Sequence, residues 1–173
     1  RFTPPRAGTF IYHTHIDEMR QQPAGLAGVL VVLEPGARFD AATDHPLLLS
    51  TPRRLADRED HLYLNGSLAP PAEGRAGEEH RLRVVNIALA PPGGYLLALL
   101  RDSAVGSWRP VAKDGAELPA EQATPQPART RVSTGETADF IVTLAEPGTY
   151  RLEVRPANNP LALRAVLRIR ILP

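Results

Sequence analysis

The chain has 173 residues, with 20 basic against 19 acidic side chains and a formal net charge of +1. That balance implies no general attraction to nucleic acid or to an anionic membrane, and the length suffices for one large or two small domains with a hydrophobic core. Cysteine is absent, which excludes disulfide scaffolds, thiol nucleophiles and thiolate-ligated metal sites within these residues. Lys113 is the only lysine, and the bias toward arginine, alanine, proline and leucine points to a GC-rich bacterial genome. The chain opens on Arg1, Met19 is its only methionine, and neither a signal peptide nor a membrane span is visible, so it is expected to be the C-terminal part of a longer protein.

Residues 1–5 read as the tail of a strand entering a turn at 5–8. From Thr9 to His15, Thr9, Ile11, His13 and His15 alternate with Phe10, Tyr12 and Thr14, the period of a β-strand. Both imidazoles are expected on one side of that strand, with Cβ atoms about 6.6 Å apart. The spacing suits one shared transition-metal ion or two neighbouring ions with one imidazole each; solvated or packed histidines are the plain alternative. Ile16 to Ala24 reads as a polar loop with one helical turn around Asp17 to Gln21. It places Asp17 and Glu18 beside the histidine pair, where a carboxylate either passes protons or is simply solvated. Gly25 to Leu33 is an apolar run expected as a buried sandwich strand, closed by Glu34-Pro35-Gly36, and a domain boundary is placed in the short-residue, acidic stretch that follows.

The second unit opens with a strand from His45 to Ser50. A mixed charge run, Pro52 to Asp60, is expected as a solvated loop, and the strand from His61 ends in the turn Asn65-Gly66. Pro70 to Gly77 reads as loop, and His80 to Ala88 as a half-exposed strand with Leu82, Val84 and Asn86 facing in. Further strands are predicted at Tyr95 to Arg101, Trp108 to Ala112, Thr137 to Leu144, Thr149 to Arg155 and Leu161 to Leu172, with Lys113-Asp114-Gly115 as a turn and the proline-rich 119–127 irregular. Many short strands between Gly/Pro turns, and no amphipathic helical period, argue an all-β sandwich. His45, His61 and His80 are dispersed near strand starts and are expected as ordinary surface imidazoles.

The run Gly8-Thr9-Phe10-Ile11-Tyr12-His13-Thr14-His15, with Gln22 and then Gly25-Leu26-Ala27-Gly28 entering an apolar strand, resembles the end of the first copper-binding cupredoxin domain of multicopper oxidases. The second unit resembles the copper-free cupredoxin domain of the same family through Asn65-Gly66, Arg81-Leu82-Arg83-Val84-Val85-Asn86, Ala112-Lys113-Asp114-Gly115 and Gly135-Glu136-Thr137-Ala138-Asp139-Phe140 in order. Those landmarks read as structural: turns with positive φ, a bend before a strand, and an Asp139 that bonds a neighbouring loop or pairs with an arginine such as Arg83. Residues 6–15 also align with 146–155, where Glu153 and Arg155 stand in place of His13 and His15, a pair expected to bond each other or water and not to bind a metal.

The resemblance implies a cupredoxin-like Greek-key β-sandwich, with 1–38 as the terminal strands of a preceding copper-binding cupredoxin domain and 39–173 as a cupredoxin-like domain without its own copper. It implies His13 and His15 as ligands of the type-3 copper pair of a three-copper cluster, the remaining ligands lying outside this chain. The lack of cysteine places the electron-accepting type-1 copper elsewhere. The implied activity couples one-electron oxidation of a small reducing substrate to reduction of dioxygen to water. Its implied partners are upstream cupredoxin domains of the same polypeptide or a neighbouring subunit, and its implied location is the bacterial periplasm or exterior. Two alternatives compete. One is a copper-binding or scaffolding module without turnover. The other is a cupin, whose histidine pair and glutamate Gly8, His13, His15, Glu18 and Gly25 approach with one residue too few before Glu18 and no second motif downstream.

Overall fold

The computed structural model describes residues 1–51, 62–89 and 91–172; the predicted charge run and His61 lie outside them. In chain order the elements are β1 (Gly8–His13), α1 (Glu18–Gln21), β2 (Ala27–Val32), β3 (Asp44–Ser50), β4 (Tyr63–Leu64), β5 (Pro71–Arg75), β6 (Glu79–Asn86), β7 (Tyr95–Arg101), β8 (Ala104–Val105), β9 (Ser107–Lys113), β10 (Ala116–Glu117), β11 (Gln126–Pro127), β12 (Arg129–Val132), β13 (Thr137–Thr143), β14 (Gly148–Pro156) and β15 (Ala165–Leu172). One sheet runs β10-β9-β13-β6-β3-β4 with β11 on β9; the facing sheet runs β12-β7-β14-β15-β5 with β8 on β7. Among the described residues, strands β1 and β2 pair only with each other, from Gly8 opposite Val32 to His13 opposite Ala27. The molecule is an all-β, cupredoxin-like sandwich with an attached two-stranded ribbon.

Period-two alternation builds the core. On β15, Leu167, Ile169 and Ile171 are buried while Arg168 and Arg170 face out; on β7, Leu97 and Leu99 are buried between half-exposed Leu96, Ala98 and Leu100. Leu47, Leu49, Leu82 and Val84 supply the other layer, closed by Trp108 stacked on Phe140 with ring centroids 4.0 Å apart. Asn65-Gly66 and Asp114-Gly115 adopt φ of 50°, 77°, 49° and 72°, the left-handed turns their residue types favour.

Three expectations are corrected. The stretch 70–77 is not simply loop: Pro71–Arg75 forms a parallel edge strand on β15, held by backbone bonds that need no hydrophobic alternation. Strand β2 is half-exposed, with only Gly28 buried, because it pairs with β1 alone and has no second layer over its outer face. Strand β6 is buried almost throughout, since a polar network roofs its outward face.

That network fastens the ribbon to the sandwich. Asp139, 1% exposed on β13, accepts at Oδ2 from Arg81 (2.7 and 3.0 Å), Arg83 (3.2 Å) and the Thr9 hydroxyl of β1 (2.9 Å). Arg83 also donates to Thr9 and, through two 2.6 Å bonds, to Asp44 of β3. The sequence-based pairing of Asp139 with Arg83 is present. Beside it, Phe10 packs so closely on Gly115 that a Cβ there would meet the ring at 2.4 Å.

Candidate functional site

The ribbon carries the histidine motif to one end of the sandwich. Strand β1 stops at His13, and His15 lies beyond it in a bend, so the pair does not leave one strand as the alternation predicts. A backbone bond from Thr14 to Leu26 extends the ribbon by one step before the chain turns into α1. The imidazoles nonetheless converge, with ring centroids 4.6 Å apart. One ligand atom from each of His13, His15 and Glu18 lies within 4.8 Å of the others, the one such group of three among the described residues.

Hydrogen bonding orients the His13 ring. His13 Nδ1 lies 2.9 Å from the Thr14 carbonyl, and a carbonyl only accepts, so Nδ1 carries the proton. The Gln22 amide lies 3.0 Å from the same nitrogen and complements an Nδ1–H when its oxygen is turned toward it. His15 Nδ1 lies 3.1 Å from Glu18 Oε1, an ion-pair distance. In the His13 ring the proton on Nδ1 leaves Nε2 as the nitrogen with a free lone pair, the usual way an outer partner readies a metal-binding imidazole. His13 is half-buried and the His15 side chain is 81% exposed, so the cluster faces outward.

The other acidic candidate is placed differently. Asp17 adopts φ 51° at the helix N-cap, and its carboxylate pairs with Arg20 at 3.6 Å, outside the histidine group. Glu18, Gln22 and Pro23 share a small crevice with Ser50, Thr51 and Ile87, which seats the site loop against the end of the sandwich. Gln22 stands in the sequence motif, but its bond to His13 comes from the loop's return and not from any period.

The remaining described histidines are not surface groups. His45 of β3 and His80 of β6 are 6% and 0% exposed, with His45 Nε2 3.1 Å from His80 Nδ1 and His80 Nε2 2.7 Å from the Arg75 carbonyl. Parallel pairing of β3 with β6 sets His45 opposite Leu82, two residues along from His80, a proximity that their 35-residue separation hides. Burial, and the His80 ring beside it, push the His45 pKa below its ordinary value despite Asp44 and Asp40, which pull the other way. Glu153 and Arg155 bond each other at 2.8 Å, as their pairing predicts.

Among solved structures, the chain is similar to a blue copper oxidase from Nitrosomonas europaea, at 19% identity and TM-score 0.69, over 98% of this chain and 57% of that one. It is similar to a multicopper oxidase from the hyperthermophile Aquifex aeolicus, at 21% identity and TM-score 0.75, over 96% of this chain and 41% of that one. A copper nitrite reductase from Nitrosomonas europaea matches at 16% identity and TM-score 0.73, over 99% of this chain and 64% of that one. The chain thus spans less than two thirds of each, and the shared property is the cupredoxin-like fold. No protein-family model matches the chain, and no curated protein matches it. Among the described residues no helix is long and apolar enough to cross a membrane.

Proposed function

We propose that this chain is part of a copper-binding oxidoreductase of the multicopper oxidase type, to which it contributes two ligands of the type-3 copper pair, His13 and His15. The observation that carries the reading is the pair of converging imidazoles, with His13 Nδ1 engaged by the Thr14 carbonyl and the Glu18 carboxylate 3.1 Å from His15 Nδ1. Neutral imidazole suits copper, so the donor set fits the ion. In this reading 1–38 close a preceding copper-binding cupredoxin domain, 39–173 form a copper-free one, and the remaining ligands come from upstream domains or a neighbouring subunit. The exposed apolar side chains of the ribbon region support that division: Phe2, Tyr12, Ile16, Met19 and Leu26 are 54–77% exposed.

Copper there supplies one-electron redox chemistry, by which the whole protein would couple oxidation of a small reducing substrate to reduction of dioxygen to water. The chain's own residues orient the imidazoles. Thr14 and Gln22 hold the His13 ring, Glu18 lies beside His15 Nδ1, and Asp17, paired with Arg20, serves the loop. A periplasmic or secreted location accompanies this reading.

The test is the copper content and oxygen consumption of the full-length protein with His13→Ala or His15→Ala. Both are expected to fall sharply while circular dichroism stays unchanged, because the motif lies at the end of the ribbon and outside the core. Unchanged copper stoichiometry in both variants overturns the assignment.

A further inference from the structure

The near-neutral composition conceals a segregated surface. The outer face of the sheet β12-β7-β14-β15-β5 carries Arg129 and Arg131 on β12, Arg151 and Arg155 on β14, and Arg168 and Arg170 on β15. Register brings them into rows: Arg131, Leu96 and Arg155 lie side by side across three strands, as do Leu100, Arg151 and Arg168. Among the described residues, two carboxylates pair with them. Glu153 sits between Arg151 (3.6 Å) and Arg155 (2.8 Å), and Glu73 lies at the edge, 3.7 Å from Arg170. With six guanidinium groups against two carboxylates among the described residues, this face is cationic in a chain whose net charge is +1.

The face is also partly apolar. Leu96, Ala98 and Leu100 of β7 form a half-exposed strip between the arginines and floor a shallow groove that Arg129, Arg155 and Pro160 border. From the loop joining β14 to β15 rises Leu161, 90% exposed, with Leu163 at 44% on the same loop. Arg155 donates to the Leu161 carbonyl at 2.9 Å, which ties this loop to the cationic face.

We propose that this sheet face docks on an anionic lipid bilayer, its arginines on headgroup phosphates and Leu161 in the interfacial layer. The two features choose the occupant together. Charge complementarity requires a dense array of negative groups, and a guanidinium meets phosphate through paired N–H donors. A soluble polyanion satisfies the arginines and gains nothing from an exposed leucine, whereas a bilayer surface takes both. Docking is independent of copper and of the histidine site.

The test is co-sedimentation of the full-length protein with phosphatidylcholine vesicles, with and without phosphatidylglycerol, at low and high salt. Binding is expected only to the anionic vesicles and is lost at about 0.5 M salt, where charge screening acts within a few ångströms. Arg168→Glu with Arg170→Glu is expected to weaken it by about tenfold or more. Leu161→Asp is expected to weaken it severalfold with every arginine intact, and Arg20→Glu, away from this face, to leave it unchanged. All of these positions are exposed, and circular dichroism checks the fold. Absence of binding to anionic vesicles, or equal binding by the Arg168/Arg170 variant, overturns the proposal. Equal vesicle binding by Leu161→Asp, together with tight binding to heparin, assigns the face to a soluble polyanion and overturns it as well.

Discussion

Asp139→Ala is the perturbation on which the attachment of the ribbon depends most directly. The carboxylate is 1% exposed, and its Oδ2 collects the Thr9 hydroxyl and both arginines of β6, while Oδ1 is a buried atom without a protein partner. Removing one member of a buried ion network costs about 3–5 kcal/mol, because the charges left behind are not rehydrated. Here Arg83 keeps its two bonds to Asp44, and the Arg81 side chain, 28% exposed, reaches water. The loss is therefore expected at the lower end, about 3 kcal/mol, or a fall in Tm of roughly 6–12 °C for a chain of this size. Urea unfolding measures the global loss, and hydrogen exchange of the Gly8–His13 amides reports whether β1 loosens ahead of the sandwich. Thr9→Val removes the hydroxyl alone and is expected to cost about 1–2 kcal/mol, with a coupling to Asp139→Ala of at least about 0.5 kcal/mol. A loss below about 1 kcal/mol for Asp139→Ala, or unchanged exchange in β1, refutes the view that this network anchors the ribbon.

Stability is expected to decline as the pH falls below the ordinary histidine range. Burial chiefly lowers the pKa of folded His45, so the unfolded chain binds the extra proton first; this contribution is present above about pH 6.5 and declines by up to about 1.4 kcal/mol per pH unit below it. The groups around His45 are His80, Asp44 and Asp40, and denaturation of His45→Gln between pH 7 and 5 is expected to give a flatter profile than the parent. Gly74→Ala places a Cβ 2.4 Å from His80 Cε1 on the same inter-sheet contact and is expected to cost about 1–3 kcal/mol, read as a lower Tm. Trp108→Ala removes the buried ring that stacks on Phe140 and is expected to cost about 3–5 kcal/mol by urea unfolding with the β-rich circular dichroism retained.

Local chemistry carried much of this molecule in legible form. Alternation on β7, β14 and β15, the left-handed turns at Asn65-Gly66 and Asp114-Gly115, and the closeness of His13 to His15 all follow from residues within a few positions of one another. The sequence by itself therefore determined an all-β sandwich and a histidine pair able to meet a metal. What distant segments bring together was decided only by the tertiary structure. Strand β5 is a strand because β15 offers it an edge, and β6 is buried on both sides because Thr9 and Asp139 cover it. His45 and His80 read as surface groups until parallel pairing closes 35 residues of chain and places them 3.1 Å apart. Six arginines far apart in the chain share one face because β12, β7, β14 and β15 lie side by side. A side chain's local period says which way it points relative to its neighbours. Its burial, partners and field are properties of whatever the fold sets opposite it, and that depends on pairings too long-range for any period to encode.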